Sequence, residues 1–274
     1  MPRYLGQHFL INKNKLKKIV EALELKKNET VIEIGPGHGE LTSSIRHQAL
    51  SIKITAIEKD KKLVSFLQRK FALDKNIKII DGDALKILPK LTQNSQLTTN
   101  NYKLAGNIPY YITGRLLRIL SELKNKPTLI ILTVQKEVAK RICALRQAQG
   151  KPRMNLLSAS VQFWAKPKII GYIPKRDFRP MPAVDSAVIK LEVKNREQET
   201  KNAEKYYRII KILFKQPRKT IKNNLAAALG KLNTEKKNKF FEELRGSGID
   251  PASRPQNLGV EDLLKIQSIF KKND

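Results

Sequence analysis

Between residues 29 and 133, short β-rich runs alternate with helical patterns. This alternation constrains the chain more than any other feature. Thr30-Val31-Ile32-Glu33-Ile34 reads as a buried strand, and similar runs follow at 52–57, 77–80, 102–105 and 129–133. Continuous apolar strands of this kind bury both faces. Helices are expected near 41–47 and 61–71, the second with Leu63, Phe66, Leu67 and Phe71 on its buried face. Strand–helix–strand repetition predicts an α/β fold, a parallel sheet with helices on both sides. Antiparallel strands are expected at 169–173 and 187–193. Beyond Arg196 the period is helical throughout: Tyr206, Ile209, Ile210 and Leu213 share one face, and further helices are expected around Leu225, Phe240 and Leu263. The division is therefore residues 1–196 as an α/β domain and 203–274 as a small all-helical one, with polar stretches at 194–202 as linker and 93–101 as a loop.

Charge narrows the partner. The chain has 274 residues, 54 of them basic and 25 acidic, for a formal net charge of +29. Such an excess suits a polyanion, nucleic acid first and an anionic membrane second. One cysteine, Cys143, leaves no internal disulfide, and three histidines with it argue against a structural metal site. No apolar run is long enough to span a bilayer, and nothing ahead of Gly6 looks like a secretory or transit signal, so a cytoplasmic home is expected.

The chemistry lies at the strand ends. Gly35-Pro36-Gly37-His38-Gly39 follows the first strand and opens a helix, where glycine lets the backbone turn tightly and lets a ligand approach. Glu58 ends the second strand and can accept both hydroxyls of a ribose. Asp83 follows the third and can accept from an adenine amino group. Three contacts along one sheet edge point to a nucleoside cofactor. The glycine loop alone does not choose between NAD and S-adenosylmethionine.

Asn107-Ile108-Pro109-Tyr110, after the fourth strand, makes the choice. The exocyclic amine of adenine is a poor nucleophile because its lone pair is delocalised into the ring. The Asn107 side-chain oxygen and a backbone carbonyl, that of Ile108, can accept its two hydrogens and aim the lone pair. Pro109 stiffens the turn, and Tyr110 offers a face for an unstacked base. Behind a Gly35 loop, this combination reads as a methyltransferase using S-adenosylmethionine.

These motifs run in order with others: Gly6-Gln7-His8-Phe9-Leu10, Glu33-Ile34-Gly35-Pro36-Gly37, Gly82-Asp83-Ala84, Gln135-Lys136-Glu137-Val138, Phe178-Arg179-Pro180-Met181-Pro182, Gln216-Pro217-Arg218-Lys219 and Gly248-Ile249-Asp250-Pro251. Together they resemble the small-subunit ribosomal RNA adenine dimethyltransferases of the KsgA type over almost the whole chain. The resemblance implies a Rossmann-like class I methyltransferase sheet and S-adenosylmethionine contacts at His8, Leu10, Gly35, Glu58, Asp83 and Asn107. It implies that Tyr110 and Phe178 sandwich the target base, while Asn107 holds its amine. It also implies dimethylation of two adjacent adenines in the 3′-terminal hairpin loop of 16S rRNA, by a monomer acting on the pre-30S subunit. Two positions depart from the family pattern. His8 stands where Asn is frequent, and Met154-Asn155 stands where Tyr-Gly is usual, a place where Asn155 would tolerate a positive φ.

Seven basic residues and no acid fall between 205 and 222. Lys205, Arg208, Lys211 and Lys215 recur at helical spacing beside Tyr206, Tyr207 and Phe214, which predicts an RNA-contacting stripe. Lys13, Lys15, Lys17 and Lys18 form a second basic cluster. The competing readings are a large-subunit rRNA adenine methyltransferase of the macrolide-resistance type, a non-catalytic ribosome-assembly factor, and a DNA adenine methyltransferase. The 216–221 motif and the 248–255 segment favour the small-subunit enzyme over the first. Intact Glu58, Asp83 and Asn107 speak against the second, and the lack of a duplex-reading module against the third.

Overall fold

The computed structural model describes residues 6–93, 102–144, 153–194, 203–226, 228–230 and 233–273. Of the polar stretches expected as loop (93–101) and linker (194–202), residues 94–101 and 195–202 lie outside the described residues. Two compact units emerge: 1–139 with 165–194, and 140–164 with 195–274.

The first unit is built on a seven-stranded sheet in the order β4-β3-β2-β5-β6-β9-β7. Strands β2 (Thr30–Ile34), β3 (Lys53–Glu58), β4 (Ile77–Asp81), β5 (Tyr102–Asn107) and β6 (Leu129–Gln135) run parallel. β9 (Ser186–Val193) and β7 (Ala165–Ile173) add antiparallel strands at one edge. Strand β2 is buried at every position, as its unbroken Thr-Val-Ile-Glu-Ile run requires at the sheet centre. From β2 the chain winds outward through β3 and β4, then returns to β5 on the other side. The loops after β2 and β5 thus part at their carboxyl ends, and this divergence opens a crevice.

Helices α1 (Lys13–Glu21), α2 (Glu40–Gln48), α3 (Lys61–Lys70), α4 (Ala84–Leu91) and α5 (Thr113–Glu122) cover the sheet. Each start has a local cause. Asn12, Asp60 and Asp83 cap α1, α3 and α4 by accepting from backbone N–H groups of the first turn. Of the expected face of α3 (Leu63, Phe66, Leu67 and Phe71), Leu67 is buried, beside Val64, while Leu63 and Phe71 are half-buried. Phe66 is exposed and meets the His38 ring edge-on at 5.8 Å. A strand of two residues, β1 (Phe9–Leu10), pairs antiparallel with β8 (Phe178–Arg179), register Leu10↔Phe178.

The second unit is helical: α7 (Leu156–Trp164), α8 (Ala203–Leu213), α9 (Ile221–Ala226), α10 (Thr234–Gly246) and α11 (Val260–Asn273), entered through α6 (Lys136–Cys143). It takes in 140–164, which the division at residue 196 assigned to the α/β domain. The reason is packing. Phe163 of α7 stacks on Tyr206 of α8 with centroids 4.2 Å apart, and the Tyr206 hydroxyl donates to the Ala159 carbonyl at 3.0 Å. Asn155 does not adopt positive φ; its side chain accepts from the Leu157 and Ser158 amides and caps α7. Lys205, Arg208, Lys211 and Lys215 are exposed, as the stripe requires. Tyr206 and Phe214 are buried, so the aromatics beside the stripe serve the core.

Candidate active site

The crevice holds a cavity that is open to solvent. Its walls come from the glycine loop after β2, Glu58 at the end of β3, the 107–110 segment after β5, and residues 6–10. Glycine is required at two of these places. At Gly37 φ is +63°, and a Cβ would lie 2.6 Å from the Phe9 ring. At Gly106, just before Asn107, a Cβ would lie 2.8 Å from the Ile34 carbonyl oxygen. Gly106→Ala is therefore expected to push β5 away from β2, costing about 1–3 kcal/mol. Urea denaturation would measure that cost, and binding of S-adenosylmethionine should weaken in parallel.

Glu58 is almost wholly buried, and its carboxylate organises the loops around it. One oxygen accepts from the Gly37 amide at 3.2 Å, the other from the Lys59 and Asp60 amides at 2.8 and 2.9 Å. Burial raises its pKa above the usual carboxylate range, and the three amides oppose that shift without cancelling it. Lone pairs remain for a ligand hydroxyl.

Asn107 donates from Nδ2 to the His8 carbonyl at 2.7 Å, which leaves its Oδ1 as the free acceptor of the amide. His8 is held in turn from the other side: its Nδ1–H donates to the Pro180 carbonyl at 2.8 Å. The His8 and Tyr110 rings lie nearly parallel, centroids 5.9 Å apart, and form one aromatic wall. The Tyr110 hydroxyl sits 2.7 Å from Ser186 Oγ. Burial raises its pKa, against the opposing Ser186 contact, so the phenol stays neutral.

His8, Leu10, Gly35, Glu58, Asn107 and Tyr110 thus meet at one cavity. Two expected residues do not. Asp83 spends one carboxylate oxygen on the Leu85 amide at the start of α4 and the other on the Lys59 ammonium at 3.0 Å. Partial burial disfavours its charge, but these partners outweigh that and hold its pKa below the usual range. Phe178 is fully buried among Leu10, Leu16, Ile19 and Val188, because pairing with β1 seats it in the core.

The cavity adds two carboxylates that sequence reasoning missed, Glu33 and Glu40. Glu33 had a signal, a charge in the middle of an apolar strand. It is 1% exposed, accepts from the Thr42 hydroxyl at 2.7 Å, and has its pKa raised to about 8, chiefly by burial. Among the described residues, three carboxylates and no lysine or arginine line this cavity, in a chain of net charge +29. Such a donor set fits S-adenosylmethionine, which carries a sulfonium and an ammonium, and repels the pyrophosphate of NAD. Among the described residues no cluster of His, Cys, Asp or Glu is placed to hold a metal ion, and no helix is long and apolar enough to cross a membrane.

The family model for ribosomal RNA adenine dimethylases matches residues 2–272. The chain belongs to this family. A relative from Dehalococcoides mccartyi strain CBDB1, ribosomal RNA small subunit methyltransferase A, is 38% identical over 96% of this chain and 86% of its own length. Among solved structures, a dimethyladenosine transferase from Plasmodium falciparum superposes with a TM-score of 0.79 at 24% identity, covering 97% of this chain and 98% of that one. The 23S rRNA methyltransferase ErmE gives 0.69 at 22% identity, covering 96% and 99%. Both structural likenesses establish the fold: a Rossmann-like methyltransferase sheet with a helical C-terminal region. Membership of the adenine dimethylase family makes the protein a methyltransferase of the class that uses S-adenosylmethionine.

Proposed function

We propose that this protein dimethylates the N6 amines of two adjacent adenines in the 3′-terminal hairpin loop of small-subunit (16S) rRNA, within the pre-30S particle. The observation that carries this reading is the Asn107-Ile108-Pro109-Tyr110 segment beside an acidic cavity, in a chain otherwise strongly basic. The choice of the small subunit rests on the D. mccartyi relative, whose name specifies it.

S-adenosylmethionine, when bound, supplies an electrophilic methyl group. The chain's residues do the rest. Glu40 and Glu58 give the cavity the negative potential that holds a cation, and Glu58 has lone pairs left for the ribose hydroxyls. Asn107 is fixed through Nδ2, so its Oδ1 is aimed before substrate arrives. Oδ1 and the Ile108 carbonyl accept the two amine hydrogens and leave the lone pair exposed. Tyr110, backed by His8, presents the face on which the base lies. No general base stands in this segment and none is needed, since the alkylated nitrogen loses its proton to water. Orientation of the amine and the donor in the cavity supplies the rate. The second methylation meets an amine with one N–H, so one acceptor is released.

The exposed stripe of Lys205, Arg208, Lys211 and Lys215 grips rRNA phosphates. Affinity should therefore fall steeply with salt. The test is to incubate the protein with labelled S-adenosylmethionine and small subunits, large subunits or DNA, then map the label. We expect dimethyladenine in 16S rRNA alone. Label in large-subunit rRNA would overturn the substrate, and no transfer at all would favour an assembly factor.

A further inference from the structure

A second aromatic lies close to the catalytic segment without belonging to the cavity. Strand β7 is one edge of the sheet, and Tyr172 near its end is 44% exposed. In the β7–β9 register Tyr172 pairs with Ala187, and Ile173 with Ser186, the residue whose Oγ touches the Tyr110 hydroxyl. Tyr172 is thus one residue along β7 from the position that pairs with the Tyr110 anchor, and its ring projects from the other face of the sheet at the same sheet end.

Cations surround it. The Lys136 ammonium lies 5.5 Å from the centre of the Tyr172 ring, and Lys15 donates from Nζ to the Tyr172 carbonyl at 2.9 Å. That bond ties the basic N-terminal turn of α1 to this strand. Asp185 is the acid beside them. It makes a long ion pair with Lys136 at 3.7 Å and accepts from the Lys175 amide, so its charge is shared. A plain edge strand needs its lysines only to discourage pairing with another sheet. It does not need an exposed ring under an ammonium.

We propose that Tyr172, with Lys136 and Lys15, forms a nucleotide subsite in which a base of single-stranded rRNA beside the target adenine stacks on the ring. The two ammonium groups hold its phosphates. An aromatic face bordered by cations is the usual platform for an unpaired nucleotide, and the chain's charge selects RNA over an apolar protein partner. The inference rests on the reading of the chain as an rRNA adenine methyltransferase.

The experiment compares wild type, Tyr172→Ala and Tyr172→Phe in three measurements. These are affinity for small-subunit rRNA, single-turnover methyl transfer, and affinity for S-adenosylmethionine. Tyr172→Ala should weaken RNA binding about tenfold or more, since one stacked base is lost. Tyr172→Phe should bind as wild type does, and cofactor affinity should be unchanged in both. Lys136→Gln should lower the slope of log affinity against log salt by about one. Wild-type RNA affinity in Tyr172→Ala would overturn the subsite while leaving the proposed function intact. Loss of cofactor binding in Tyr172→Ala would make Tyr172 a structural residue and overturn it as well. A wild-type protein that methylates no rRNA overturns the proposed function, and the subsite falls with it.

Discussion

Asn107→Ala should lower the single-turnover rate of methyl transfer by about 10²–10³-fold, the usual effect of removing one preorganised hydrogen-bonding group from a reaction centre. The loss has two sources. The alanine cannot accept an amine hydrogen, so the lone pair of adenine is no longer aimed. It also cannot donate to the His8 carbonyl, so the segment that carries one cavity wall loses a tether. The two are separable. Asn107→Asp keeps an acceptor for the amine but sets an oxygen against the His8 carbonyl, so it should recover part of the rate while binding cofactor less well. Rapid-quench measurement of transfer beside calorimetric cofactor binding reads both effects. Near-normal turnover in Asn107→Ala would remove this residue from the mechanism.

Glu33 should make the protein less stable as pH rises through neutrality. In the unfolded chain its carboxyl ionises near 4.5, and in the folded protein it keeps its proton up to about 8. Burial is the main cause. The repulsion of Glu40 and Glu58 adds to it, while the Thr42 hydrogen bond and Lys70 oppose it. Between these pH values the folded state binds more protons than the unfolded one. Stability therefore falls with rising pH across the window, and the cost is complete above pH 8. A shift of this size amounts to several kcal/mol, on the order of 5. Glu33→Gln has no proton to lose, so its urea midpoint should be nearly flat from pH 5 to pH 8.5 and higher than that of wild type at the upper end. A cationic ligand in the cavity should flatten the wild-type curve in the same way, because it favours the ionised carboxyl. Equal pH dependence in wild type and Glu33→Gln would mean that the carboxyl ionises freely in the fold.

The parallel core was legible because its signal is local. Each of the five runs between residues 29 and 133 became a strand, shifted or lengthened by a residue or two at its ends. Gly35, Glu58 and Asn107 could be grouped because each sits at a strand end, and strand order brings those ends together. What the sequence did not show has a different origin. Phe178 looked available to a base, but its environment is decided by Leu10, which lies far away in sequence and pairs with it through a two-residue strand. Asp83 looked like an adenine contact because its residue type fits. Its oxygens serve a helix cap and a lysine, and a cap is as good a reason for an aspartate at that position. Residues 140–164 follow the sheet in sequence but bury their aromatic face against α8, and sequence order cannot show which partner a helix chooses. Glu33 was visible as an oddity of composition, yet its closeness to Glu58 and Glu40 appears only when the strands are laid side by side.

The contact between residues 6–10 and residues 178–180 bears on how this protein is made. One wall of the cavity is an early segment held by a much later one: His8 reaches the Pro180 carbonyl across 172 positions. A nascent chain emerging from the ribosome has all the strand ends of the cofactor crevice once β5 is out. It cannot close the crevice until the β8 segment follows. Cofactor affinity should therefore appear late and abruptly during synthesis, long after the parallel strands have paired, because the closing loop spans most of the domain. An enzyme that acts on ribosomal RNA would then gain its methyl donor only after its own translation has all but completed the catalytic domain.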